Sequence, residues 1–349
     1  MNVGVVFGQM LVLLAMMAVG FFCYKKSWVS DETAGHLSKL AVNVFNPILV
    51  INGVLGQDSA AAGNNVAWNL MFIVLYFTIL MIISVFMPLV ISPQDKHKSV
   101  YRLMTIFANV GFMGIPVVKS IFGDGAMIYI AFYILGYNLM LYTVGMFLSI
   151  KAGDENHKYG MSYLEAMAAN GAGKKSVKVE QQMVESALSL ESQNSVGVFF
   201  KRLMNPGVIA ALFAVIIFAF GIQMPGPVVT FCDYMGNTTI PLSMIMIGIS
   251  MAQANLREVF GDVRIYAFVA IRMVVLPILM IFALKGFVLS YAIDPMVFGV
   301  FIIELGMPVG SIIVMMAREK GADAAYCTKG VVVSTLTSIL TIPIICAFL

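Results

Sequence analysis

Four polar side chains lie inside long apolar runs, where each could do chemistry. Asn109 opens "NVGFMGIPVVK", Lys119 closes it, Glu304 opens "ELGMPVGS", and Arg272 sits in "YAFVAIRMVVLPI". A carboxylate held in an apolar span is costly and marks an ion or solute path, so Glu304 is read as a carrier of H⁺ or Na⁺, or else as a structural acid paired within the protein. Arg272 could balance the carboxylate of a substrate, or pair with Glu304 or Asp233. Lys119 either lines an outer vestibule or snorkels to the interface.

The residues around these side chains weaken the backbone. Gly114 and Pro116 in the first stretch, and Pro308, Gly310 and Ser311 in the second, are poor company for a continuous helix. Proline removes a donor and clashes with the carbonyl four residues back, and the freed groups need protein or a water-filled cavity. Helix N-termini at such a break favour an anion, and C-terminal carbonyls favour a cation. Asn46 before Pro47 ("VFNPILV"), with Asn43 and Asn52, and Asn237, Thr238 and Thr239 before Pro241 ("TTIPLSM"), could add neutral hydrogen bonds to a solute or join helices. The "STLTS" run near the C-terminus reads as helix packing.

The elements that position these residues follow from composition. The chain has 349 residues, 60% hydrophobic and 11% charged. That is far more apolar and less charged than soluble domains, and predicts a polytopic membrane protein. Apolar segments near the length that crosses about 30 Å of hydrocarbon recur at 3–23, 38–56, 66–90, 101–122, 126–149, 204–222, 228–252, 264–284, 295–317 and 325–348. Strand-like alternation is missing, which argues against a transmembrane barrel. Cys23, Cys232, Cys327 and Cys346 have no CxxC spacing and read as small core residues. The three histidines fall in polar connections, against a histidine metal site. The positive pair Lys25–Lys26 follows the first apolar run, which is the wrong order for a cleaved signal peptide.

The expected fold is therefore all-α, with ten spans in two inverted halves of five. Residues 1–150 form the first half, 151–200 a cytoplasmic polar loop and 201–349 the second half. Within the loop, Val177–Glu191 reads as a short surface helix or a flexible linker. With the N-terminus outside, 18 of the 21 lysines and arginines fall on the inner side, which places both termini outside the cell membrane. Sliding one half along the other by about 193 residues brings Pro47 onto Pro241 and Pro116 onto Pro308; paired interruptions in inverted halves point to a secondary transporter's binding site.

These residues resemble the auxin efflux carrier family, which includes plant PIN-type auxin carriers and bacterial malate and malonate permeases. "NVGFMGIPVVKSIFGD" is similar to that family's asparagine-x₃-Met-Gly-Ile-Pro-x-x-Lys pattern. "PLSMIMIGISMA" and "MPVGSIIVMMAREKG…CTKGVVVSTLTSILTIP" resemble its seventh, ninth and tenth spans. The resemblance implies ten helices in two inverted repeats, crossing of broken helices four and nine, and elevator-like alternating access, usually in a homodimer. It gives Asn109 the contact with a substrate carboxylate. The chain departs from plant carriers at Glu304, where they carry a neutral residue. "ELGM" there looks like the distantly related sodium–bile acid symporters, whose glutamate binds Na⁺.

The expected function is secondary transport of a small organic anion, a mono- or dicarboxylate such as malate or malonate. The substrate set is Asn109, Gly114, Pro116, Pro308, Gly310, Ser311, Asn46 and Arg272. Glu304 is the coupling residue for Na⁺ or H⁺, and no other cofactor or metal is expected. Alternatives are a Na⁺ symporter of a larger, bile acid-like anion, or a sensor that binds without transporting. No HExxH, GxSxG or GxxxxGK[ST] pattern occurs, which argues against an enzyme and against ATP-driven pumping. Partners are the anion, membrane lipid and a second copy of the chain, with no nucleic acid.

Overall fold

The computed structural model describes residues 3–55, 63–169, 206–253 and 259–349. The proposed surface helix at Val177–Glu191 lies outside the described residues. Described elements are helical, and the one strand-like pairing among them is an isolated bridge. In chain order they are α1 (Val3–Lys25), α2 (Asp31–Leu40), α3 (Asn46–Asn52), α4 (Gly63–Ile91), α5 (Lys98–Ile106), α6 (Ile115–Phe122), α7 (Met127–Met140) and α8 (Met146–Ala169). After the undescribed residues come α9 (Pro206–Ala219), α10 (Gly226–Gln253), α11 (Val263–Ala270), α12 (Leu276–Ser290), α13 (Pro295–Gly306), α14 (Ile312–Glu319) and α15 (Ala324–Phe348).

Among the described residues, six helical stretches are long and apolar enough to cross a membrane, and Val110–Phe122, Pro206–Ala219 and Pro295–Gly306 are shorter apolar helices. Their outer faces carry bare aliphatic and aromatic side chains such as Val74, Leu89, Phe213 and Leu289, which suits lipid rather than water. The protein is thus a multi-pass membrane protein. Helix continues from Met146 to Ala169, so the polar stretch begins as an extension of the fifth apolar segment rather than as a loop at residue 151.

Three π turns explain several of the prolines. Ala41–Phe45, Val110–Gly114 and Ile271–Val275 each end two residues before a proline: Pro47, Pro116 and Pro277. The carbonyl four residues before each proline lies inside the widened turn, which absorbs the ring that would otherwise strike it. These prolines therefore sit inside helical runs. The expectation that Pro116 marks the backbone break is corrected here: the interruption lies upstream, at Phe107–Asn109.

Packing gathers the helices into two groups. The α1 helix lies along α10, and α3 packs between α9 and α10. Elsewhere α4 packs on α5, α7 and α13, and α15 packs on α11, α13 and α14. The groups meet where α1 touches α15 and where α9 touches α7.

Candidate functional site

The site is built by two helices that stop inside the protein and start again. The first runs as α5, breaks at Phe107–Asn109, and resumes through the Val110–Gly114 π turn into α6. The second runs as α13, breaks at Met307–Ser311, and resumes as α14. The two breaks pair antiparallel at Ala108 and Val309. Asn109 N donates to Pro308 O at 2.7 Å, and Gly310 N donates to Phe107 O at 2.9 Å. Each extended break thus satisfies the other's exposed backbone, as an apolar interior demands.

Other residues complete that accounting. Asn109 caps the resumed helix, its Oδ1 accepting from Phe112 N at 3.2 Å. Ser334 Oγ accepts from Val309 N at 3.0 Å, so the "STLTS" run does more than pack. Arg272, fully buried on the Ile271–Val275 π turn, donates from Nε to Thr105 O at 3.3 Å and from Nη1 to Met307 O at 2.9 Å; Nη1 also donates to Leu305 O. Thr105 and Leu305 lie in the last turns of α5 and α13, where carbonyls lack helical partners. Arg272 therefore caps the C-terminal ends of both half-helices. It is not ion-paired with Glu304 or Asp233 among the described ion pairs.

Glu304 is fully buried in the last turn of α13, and neither carboxylate oxygen has a hydrogen-bond partner. A methyl group on Gly114 would stand 2.5 Å from Oε1 and 3.0 Å from Oε2, so a glycine is what allows the carboxylate its place. Asn109 Nδ2 and Arg272 Nη2 are likewise buried without partners. Tyr76 and Tyr133 border the same region, with rings in edge contact at 5.6 Å. At Gly310 a methyl group would fall 2.8 Å from Ala108 O and 3.1 Å from the Tyr137 hydroxyl.

A cavity of about 380 Å³ opens beside the crossing, between the two helix groups. That size falls within the range of small-molecule sites. Ser243, Met246, Ile247 and Ser250 of α10 form one wall; Val314 and Met315 of α14, with Val331 and Thr335 of α15, form the other. Phe112 and Ser311, just past the two breaks, also line it, and Arg318 and Lys329 supply positive charge. Of the residues expected from sequence, Ser311 lines this cavity. Asn109, Pro308, Gly310, Glu304 and Arg272 build the crossing next to it. Pro116 lies buried inside α6, and Asn46 approaches Gly111 with a buried, unpartnered Oδ1.

The remaining candidates form an outer layer. Lys119 is 3.0 Å from Asp124 and donates to Asn237 Oδ1 at 3.3 Å, while Asn237 and Asn52 both donate to Asp233. Sequence reasoning missed Arg318 and Lys329, which looked like ordinary interfacial charges. It also missed Ser334, whose role depends on the neighbouring break.

A family profile described as "Membrane transport protein" matches residues 5–346. An uncharacterized transporter from Methanothermobacter thermautotrophicus is 23% identical over 340 residues, covering 90% of this chain and 97% of that protein. The chain belongs to the membrane transport protein family, the auxin efflux carrier family that its motifs resemble, and it is a transporter.

Proposed function

We propose that this family member is a secondary transporter of a small organic anion, a mono- or dicarboxylate such as malate or malonate, across the cytoplasmic membrane. The observation that carries the reading is the Ala108–Val309 crossing, with buried Asn109 and Glu304 atoms left without partners, beside a 380 Å³ cavity. Buried polar atoms are nearly always satisfied, so a cluster of exceptions in a transporter marks the place a ligand completes. Asn109 Nδ2 offers a donor to the carboxylate, Ser311 and Thr335 offer hydroxyls, and Arg318 and Lys329 draw the anion in.

Ten spans in two inverted halves underlie the mechanism. Support comes from the pairing of the two interrupted helices with each other, and from matched contacts: α1 on α15 and α9 on α7 exchange roles when the halves exchange. The cavity lies between the two helix groups, so sliding one group against the other would carry the site across, as an elevator does. The cavity's charged residues, Arg318 and Lys329, belong to the positive side that sequence places in the cytoplasm, so the cavity corresponds to an inward-open state with both termini outside. Glu304 carries the coupling ion, H⁺ or Na⁺, and the working unit is a homodimer. The methionine- and valine-rich walls favour a second reading, a larger amphipathic anion with an apolar body.

The test is uptake of a carboxylate panel into proteoliposomes, with Na⁺ and pH gradients imposed separately. Saturable uptake of at least one carboxylate is expected. Binding of an anion with no uptake of any would favour a sensor.

A further inference from the structure

We infer that Arg272 is a tethered cation built into the crossing, filling the carbonyl cluster where two broken helices would otherwise hold a free monovalent ion, so that this chain works without bound Na⁺. The inference rests on the transporter reading and narrows its coupling ion to the proton on Glu304.

The argument starts from the carbonyls. The C-terminal ends of α5 and α13 converge, and the Thr105, Leu305 and Met307 oxygens all meet one guanidinium. Helix C-termini carry partial negative charge, and two of them together favour a cation. Left bare in a span, three carbonyl oxygens would be costly, so something positive must stand there. Arginine suits this position because it is permanently charged and presents its donors in a fixed planar fork. The π turn that accommodates Pro277 also carries Arg272, and the residue is fully buried.

The division of labour follows. Arg272 donates its hydrogen bonds to the two helix ends and none to Glu304, whose charge attracts it from a distance and whose two oxygens stay without hydrogen-bond partners. The backbone oxygens next to Glu304 are already taken, so a metal ion at that carboxylate lacks the ligands a proton does not need.

The test needs no substrate. Purified protein in nanodiscs is unfolded thermally in NaCl, KCl or choline chloride at constant ionic strength. The wild-type midpoint is expected to agree within about 1 °C across salts. Arg272→Gln is expected to unfold at lower temperature in choline and to recover about 2–4 °C, saturably, in Na⁺ or K⁺. A saturable, Na⁺-specific rise in the wild type overturns the inference, as does a folded Arg272→Gln protein indifferent to all three salts. If the glutamine variant does not fold, Arg272→Lys decides. Its single ammonium cannot span three carbonyls, so its midpoint should fall several degrees below wild type without acquiring ion dependence. A wild-type midpoint or a new Na⁺ dependence in that variant overturns the inference. Because the assay contains no anion, its failure and the failure of carboxylate uptake are separate results.

Discussion

Two buried polar clusters in the same helical body are finished differently. At the charged end, His97 stacks on Tyr326 at 3.7 Å and its Nε2 lies 3.0 Å from Asp323 Oδ2. Tyr326 N donates to Asp323 Oδ1 at 3.0 Å, and its hydroxyl donates to Asp262 Oδ2 at 2.7 Å and lies 2.9 Å from the Tyr101 hydroxyl. Glu155 accepts from both Ser99 N and Ser99 Oγ. At the crossing, by contrast, Glu304, Asn109 and Arg272 keep buried polar atoms without partners. A closed network rigidifies; an open one, in a protein that spends stability to keep it, waits for a ligand. The first cluster therefore fastens the starts of α5, α11 and α15, and the second is where we propose that the anion binds.

That contrast can be broken or sharpened by substitution. The largest effect is expected for Gly310→Ala, because the new methyl group meets backbone at Ala108 and cannot be moved aside. A loss of about 3 kcal/mol and of uptake is expected, read by thermal unfolding and transport of the same preparation. Next is Asp323→Asn, which keeps a capping oxygen for Tyr326 N but removes the negative charge facing His97 and Lys96, costing about 2 kcal/mol. Uptake per folded molecule should remain, since the closed cluster holds no substrate; loss of uptake at unchanged stability would merge the two clusters.

The same aspartate gives a pH signature. The His97 hydrogen bond, outweighing burial, holds the Asp323 carboxyl down at about 2, aided by Tyr326 N–H and the Lys96 charge. A depressed carboxyl stabilises the folded state above its unfolded value of about 3.9 and loses that contribution as pH falls toward 2. The stability gap between wild type and Asp323→Asn should thus close as pH falls below about 4. Smallest in stability is Glu304→Gln, which leaves shape intact and replaces only an unpartnered carboxyl by an amide. Folding should hold within about 1 kcal/mol while uptake loses its response to an imposed pH gradient. Unchanged ion dependence would remove Glu304 from coupling.

Much of this was legible in sequence because membranes tie composition to length: the apolar segments coincide with helices among the described residues. The residues of the crossing were found by their polarity in apolar runs. Its geometry was harder to read. Pro116 looked like the breaker, but a π turn absorbs it, and the true break at Phe107–Asn109 is made by pairing with a distant segment around Val309. The roles of Arg272 and Ser334 were hidden for the same reason, since their partners are backbone groups that only the breaks expose.

The most direct test of the central claim compares anion affinity in wild-type and Asn109→Ala protein, each verified as folded. Removing the cap costs about 1 kcal/mol of stability and leaves a folded carrier. If the unpartnered Asn109 amide meets the substrate carboxylate, affinity for the transported anion should fall at least about tenfold, the equivalent of one charge-assisted hydrogen bond. Unchanged affinity in the folded variant would contradict the account and move the substrate site away from the crossing.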